Sequence, residues 1–453
     1  MAVQNMSVEA ALACFSSVLA PPPDYEGEAP VPPPHARPEY YVLRSVGGGV
    51  SGTAFLAQRI SDGHKLIAKI TNLSNLNDKK KGYARSEIKC LADCDHFAIV
   101  RHYANYESDD GSHLLLVMEL ADAGDLSRQI KHRAKEGTPF REHEVAFLFL
   151  QVVLGVHYIH EKRMLHRDIK SANVFLLSCG ITKIGDFGFS QQYEDTVSGA
   201  VAGTFCGTPY YLAPELWKRQ RYSKKADVWS LGILLYEIAA LRRPFVSSTM
   251  VGLMDKVMGG VYEPLPATYS EGMHDLVKKM LCFDPNGRPD TRQILAHPYM
   301  VYVLQQFEIT IRDSTQFEPT EKESILAQLA TAKAQASEVA AAEVAAEAAD
   351  ESAVQCRGVV YKFGSRGWKQ RYLTLTSGIL TVSLVPASAG ETKTLPLKHI
   401  VSVDRVGPEL AEGREFVFTL QVDSGMDLMF QAQSEEECVD WVTKIRQSLV
   451  VSG

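Results

Sequence analysis

The stretch 165–177, LHRDIKSANVFLL, decides how this chain is read. Between His166 and Asn173 it crowds Asp168, Lys170 and an amide, Asn173, ahead of the strand-like run Val174 to Leu177. A solvated surface loop has this composition. So does a catalytic loop, in which a short bend presents a base and a cation ligand. The loop alone does not choose between them, so its neighbours in the chain must.

Upstream, VGGGVSGTAFLAQ (46–58) holds Gly47, Gly49 and Gly52 in the spacing G-x-G-x-x-G. Glycine lets backbone N–H groups approach phosphate oxygens with no Cβ in the way. A flexible turn has the same look. The run lies between two strand-like segments rather than before a helix, which counts against a dinucleotide fingerprint. One strand later, KLIAKI places Lys69 among Ile67, Ala68 and Ile70. A lone strand lysine is usually a solvated edge residue; near phosphates it supplies a point charge and needs a carboxylate to hold it. Glu87, in the helical stretch YARSEIKCLADC, is a candidate, with a plain surface glutamate as the bland reading. Downstream come GDFGFS (185–190) and GTPYYLAPE (207–215).

The glycine loop, strand lysine, HRD-x₄-N, DFG and APE stand in one order, and in that order the chain resembles the eukaryotic protein kinase family over residues 39 to about 300. The resemblance implies ATP as co-substrate and Mg²⁺ as cation, with Mn²⁺ as a substitute. Gly47, Gly49 and Gly52 would cover the phosphates. Lys69 would touch the α- and β-phosphates and pair with Glu87. Asp168 would take or orient the substrate hydroxyl proton. Asn173 and Asp186 would hold the cation through oxygen. Lys170 and Thr208 fit the serine/threonine subclass. Met118 in HLLLVMEL is the implied gatekeeper, with backbone groups of Glu119 and Ala121 meeting adenine. Leu91, His166 and Phe187 would stack as a spine, Asp227 would hold the catalytic loop, and Glu215 would pair with Arg288. Departures are few. Ile67 stands where the family has alanine, Ala54 where it has valine, and Ser51 where it has an aromatic, which alters packing on adenine more than phosphate chemistry. HRDIKSANVFL and GTPYYLAPE are similar to NIMA-related kinases, of a type found in kinetoplastid protozoa. Thr204, four residues before Thr208, is the implied regulatory phosphorylation site, with Arg167 as phosphate acceptor.

The fold class expected is α+β: a bilobal kinase over 39–302, then a helical linker and a small β domain closed by a helix. Residues 1–38 read as a disordered proline-rich leader; VEAALACFSSVLA (8–20) allows a short amphipathic helix or a disordered start. Residues 303–353, rich in Ala and Glu, read as a semi-rigid helical linker rather than a coiled coil. No apolar run approaches the roughly 20 residues of a membrane span. The net charge of −7 argues against general nucleic-acid binding. The 8 cysteines form no CxxC, and Cys90, Cys94 and His96 have the wrong spacing for common zinc sites; the pattern suits a reducing, cytoplasmic setting.

From Cys356 short strands return, and a helical stretch with Trp441 closes the chain; Val439, Val442 and Ile445 suggest its apolar face. RGVVYKFGSRGWKQRYLTLT (357–376) carries Arg357, Lys362, Arg366, Lys369 and Arg371 with no acid among them. This resembles a pleckstrin-homology (PH) domain over 354–453. Lys362, Lys369 and Arg371 fit a spacing that points cations from two adjacent strands into one mouth, for a phosphoinositide headgroup. A protein-binding domain, or one that only packs on the kinase, is the other reading. Together these features imply a kinase acting on protein substrates, associated with membrane or cytoskeleton through this domain. The alternative is a scaffold whose kinase fold is inert. The oligomeric state is not legible.

Overall fold

The computed structural model describes residues 6–25, 38–49, 52–74, 76–187, 191–192, 209–353, 356–364, 367–376, 379–384, 393–411, 413–423 and 427–452. The chain divides into two units, Met1–Ala340 and Ala341–Gly453.

The first unit opens with helix α1 (Val8–Cys14) and a two-residue strand β1 (Leu19–Ala20). Strands β2 (Tyr40–Gly49), β3 (Gly52–Arg59) and β4 (Lys65–Asn72) follow, then helix α2 (Asp78–Ala92) and strands β5 (His102–Glu107) and β6 (His113–Glu119). They form one sheet in the order β1-β2-β3-β4-β6-β5, with β1 parallel to β2 and the later pairs antiparallel. Strand β3 alternates as a half-buried strand must: Thr53, Phe55 and Ala57 are buried, while Ala54 and Leu56 face the other way.

Residues 6–25 are therefore not a disordered leader. Ala11, Leu12, Phe15, Val18 and Leu19 join Val42, Phe55, Leu66, Leu115 and Val117 in one apolar cluster. Ser7 caps α1 by accepting from the Ala10 amide, and the Met6 amide donates to Thr53 Oγ1 at 3.1 Å. Burial of these side chains offsets the entropy of ordering the segment. The prolines between residues 26 and 37 lie outside the described residues.

The second lobe of this unit is helical. It runs α3 (Leu126–Glu136), α4 (Glu142–Glu161), strands β7 (Met164–Leu165), β8 (Val174–Leu176), β9 (Thr182–Ile184) and β10 (Gln191–Gln192), then α5 (Pro214–Trp217), α6 (Lys224–Ala240), α7 (Met250–Gly259), α8 (Glu271–Met280), α9 (Thr291–Ala296), α10 (Pro298–Asp313) and α11 (Pro319–Ala353). Helix α4 is apolar and long enough to cross a bilayer by length and composition, contrary to the reading of the sequence, but most of it is buried in this lobe's core. Residues 303–340 are also part of that core rather than a free linker. On α10, Val303, Leu304, Phe307 and Ile311 are buried; on α11, Ile325, Leu329, Ala332 and Ala336 are buried beside them. The spacing of 4, 3 and 4 residues on α11 makes one stripe along a helix. Small alanines let the helix lie close, so a segment that forms no core alone can complete another.

The second unit is a seven-stranded antiparallel sheet: β11 (Cys356–Gly364), β12 (Gly367–Leu375), β13 (Ile379–Ser383), β14 (Lys393–Pro396), β15 (Ile400–Val406), β16 (Val417–Val422) and β17 (Asp427–Gln431). Helix α12 (Glu435–Ser452) covers its core. The buried face of α12 is Cys438, Trp441, Val442 and Ile445; Val439 is exposed, because a residue one position past Cys438 is turned 100° off that face.

Candidate active site

The pairing of β2 with β3 brings Gly47 opposite Ala54 and Gly49 opposite Gly52, so all three glycines lie on strands and none opens a helix. Gly52 has φ +132°, and a Cβ there would lie 2.4 Å from the Ile70 carbonyl oxygen; no side chain fits. At Gly47 a Cβ would meet nothing within 4 Å, so that glycine leaves room rather than avoiding a clash.

Register carries the roof of the cleft. Ala54 pairs with Lys69, Leu56 with Ile67, Ile67 with Met118 and Lys69 with Leu116. Directly opposed residues share a face, so Ala54, Ile67, Lys69 and Met118 look the same way. The Glu119 side chain points elsewhere: its carboxylate takes Lys183 at 3.0 Å and the Arg101 amide at 3.0 Å. Its own amide donates to the Arg101 carbonyl at 2.9 Å.

Lys69 Nζ lies 2.7 Å from Glu87 Oε1 and 3.2 Å from Asp186 Oδ1. Burial opposes the ammonium charge, but the two carboxylates outweigh it and raise the lysine pKa. Burial likewise pushes the Asp186 carboxyl up, and Lys69, with Lys170 and His166, brings it below its ordinary value. Asp186 is therefore an ionised oxygen donor facing the cleft.

In the loop quoted at the outset, Asp168 Oδ2 accepts from Lys170 Nζ at 2.5 Å and from Asn173 Nδ2 at 2.9 Å. Asn173 Nδ2 also donates to the Asp168 carbonyl at 2.9 Å, so its Oδ1 is the atom left for a cation. Oxygen from Asp186 and Asn173 is a donor set for a hard divalent ion. The loop is held from below by Asp227. That buried carboxylate accepts from the His166 amide (3.1 Å), the Arg167 amide (3.0 Å), His160 Nε2 (2.8 Å) and Tyr222 Oη (2.7 Å). The bonds hold Arg167 at φ +66°, a conformation that costs a non-glycine residue about 1–2 kcal/mol. Asp186 is also left-handed, at φ +59°. Leu91 and Phe187 share one buried cluster, and the His166 ring lies 5.1 Å from that of Phe187. Arg288 grips Glu215 with two bonds of 2.8 Å.

His160 and Tyr222, as partners of Asp227, were not visible in the sequence, since nothing local marks them. Thr204 and Thr208 lie outside the described residues.

In the second unit Lys362 is opposite Lys369, and Val360 opposite Arg371. Lys362 also pairs with Phe430, a core residue. The three cations thus continue the sheet's inner face at its open end, where Lys369 is exposed and the other two are half-buried. Arg366 lies outside the described residues.

Comparison with known proteins agrees with this geometry. The protein kinase domain family matches residues 40–300, and the PH domain family matches residues 354–450. "Putative serine/threonine-protein kinase A" of Trypanosoma brucei brucei is 43% identical over 417 residues, 90% of this chain and 94% of that protein. Its companion B is 42% identical over the same shares. Serine/threonine-protein kinase Nek4 of Mus musculus is 36% identical over 268 residues, which is 59% of this chain and 33% of that longer protein.

Proposed function

The chain belongs to the protein kinase family, and from that premise we propose how its residues move the γ-phosphoryl group of ATP to serine and threonine hydroxyls of proteins. The kinase is NIMA-related and carries a C-terminal PH domain. Adenine is taken under Ala54 and Ile67, with Met118 behind it and the backbone of Glu119 and Ala121 at its edge. The glycine hairpin of Gly47, Gly49 and Gly52 covers the phosphates. Lys69, held by Glu87, places its charge on the α- and β-phosphates. Asp186 and Asn173 would hold Mg²⁺, or Mn²⁺ in its place, through their oxygens. The cation, when bound, offsets charge on the transferring group. Asp168 orients the substrate hydroxyl and takes its proton as the new O–P bond forms and the bond to the β-phosphate oxygen breaks. Lys170, already on Asp168, lies where the γ-phosphate would arrive.

The observation that carries this is Lys69 lying within ion-pair reach of both Glu87 and Asp186. It joins groups from β4, α2 and the segment after β9, and it counts against an inert scaffold. The test is ATP-dependent phosphorylation of a serine/threonine substrate, with Asp186→Ala and Asp168→Asn. Each substitution should cost at least about 10²-fold in kcat. Wild-type turnover in either would remove the assignment.

The proposal extends to the PH domain, where Lys362, Lys369 and Arg371 receive an anionic phosphoinositide headgroup. Cations brought together from two adjacent strands are a donor set for an anionic headgroup. We place the protein in the cytoplasm, at membranes or cytoskeleton reached through this domain, with Thr204 as a phosphorylation switch read by Arg167. Loss of activation in Thr204→Ala tests the switch; unchanged purified activity would end it.

A further inference from the structure

We infer that Gln328, on the helix between the two family-matched domains, is a positioning residue for the catalytic cleft. The inference rests on Asp186 and Glu87 acting as proposed above.

The geometry forms a short chain. Gln328 Oε1 accepts from the Phe97 amide at 2.9 Å. Its Nε2 is turned toward Ser324 Oγ, 3.4 Å away, which fixes the amide so that oxygen faces Phe97. Gln328 is half-buried, and Ile325 and Leu329 on the same helix are 2% and 1% exposed in the lobe's core, which fixes the helix from which it reaches. The Phe97 amide belongs to the loop that follows α2, the helix carrying Glu87. In that loop the Ala98 carbonyl accepts from the Ile184 amide at 2.8 Å, and the Ile184 carbonyl accepts from the Val100 amide at 2.9 Å. Ile184 ends β9, two residues before Asp186. The loop also places Ile99 against Leu91 and Phe187 in one buried cluster.

One amide from α11 thus satisfies a backbone donor in the loop that sets both the end of α2 and the approach to Asp186. A part-buried N–H that loses its acceptor turns to water or moves. Movement here shifts the loop against β9, and small misplacement of cleft groups is costly to turnover. Sequence gave no sign of this, since Gln328 and Phe97 are 231 positions apart.

The test uses the full chain with Gln328→Ala, Gln328→Glu, Leu329→Ala and Asp186→Ala. For each, kcat, KM for ATP and for peptide, Tm, and amide hydrogen exchange over residues 93–100 and 182–187 are measured. Gln328→Ala should lower kcat about 3- to 10-fold with peptide KM unchanged and faster exchange in both segments. Gln328→Glu keeps an acceptor oxygen and should restore kcat. Leu329→Ala should lower Tm more and kcat less than Gln328→Ala. Wild-type kcat in Gln328→Ala, no rescue by Gln328→Glu, or equal kcat loss in Leu329→Ala would each overturn the inference. Full activity in Asp186→Ala would instead remove the site assignment beneath it, and the inference with that.

Discussion

The Lys69 ammonium and the Glu87 carboxylate meet at 2.7 Å with side chains only 11% and 9% exposed, so neither charge has water to fall back on. Asp186 shares the same ammonium. The two ways of breaking the pair are therefore unequal. Lys69→Met strands two carboxylates, while Glu87→Gln leaves Lys69 with Asp186. Lys69→Met should destabilise the fold by about 3 kcal/mol and abolish turnover. Glu87→Gln should cost less in both. Urea unfolding beside kcat/KM checks the ranking, and equal losses would show that Asp186 does not share the charge.

Ala54 and Ile67 lie on one face of the roof, on neighbouring strands. Each departs from the family pattern in the opposite sense, one smaller and one larger. Ile67→Ala should open space over adenine and raise KM for ATP about 10-fold. Ala54→Val added to it should return KM to within about 3-fold of the starting value. Additive effects in that cycle would mean the two sites do not share the adenine contact.

What was legible in the sequence and what was not divides along chain distance. Asp168, Lys170 and Asn173 sit in one loop, where phosphoryl transfer demands those groups at fixed short spacing, so their meeting was readable. Lys369 and Arg371 were readable as sharing a face from strand alternation, whereas Lys362 joins them through the hairpin register that sets it opposite Lys369. The docking of α1 and α11 was not. Ala11 and Leu12 meet Phe55 and Leu66, and Ala332 and Ala336 meet the helical lobe, through contacts that no local pattern encodes. Alanine marks a helix without marking what it touches. The Val439 misreading has a similar root: the helix start was legible, but its phase is set by Trp441 against the sheet, where the aromatic passes 3.6 Å from the Cβ position of Gly358.

The N-terminal arm should be a working part of the first lobe. Leu12 is fully buried against the outer face of the sheet, and the Met6 amide reaches Thr53, the neighbour of Gly52. Leu12→Ala should cost about 2–4 kcal/mol of stability. Loosening the arm should also raise KM for ATP through the glycine hairpin. Thermal unfolding and ATP titration of Leu12→Ala check both, and an unchanged Tm would show that the arm does not stay docked.

His96 predicts an acid limit to stability. Burial, then Lys183 and His157, push its imidazole down to about 3. Its Nδ1 accepts from the Ala98 amide at 3.1 Å, which requires the neutral ring. The unfolded chain takes up that proton near pH 6.5, while the folded chain resists it down to about 3. Between those values the unfolded state binds more protons, so stability falls as pH is lowered through the window. From pH 6.5 to 5.5 the loss through this residue is at most about 1.4 kcal/mol. Urea midpoints at pH 7.5 and 5.5 should show a smaller drop in His96→Asn than in the parent. Parallel drops would assign the acid sensitivity to other groups.

The PH cations give the last prediction. Lys362 and Lys369 are directly opposed, with Arg371 two residues along the same strand face as Lys369. Lys369 is exposed, so removing its side chain should not harm the fold. Lys369→Ala should leave Tm unchanged. With vesicles containing a phosphoinositide, each cation should contribute about 1 kcal/mol, so Lys369→Ala should weaken binding roughly fivefold, and the triple alanine variant should abolish it. Full-length protein sedimented with phosphoinositide vesicles, and with vesicles lacking them, reads this out. Equal binding to both vesicle types would mean surface charge alone attracts the protein. No binding to either would leave the three cations to a protein ligand, and the membrane assignment would fall.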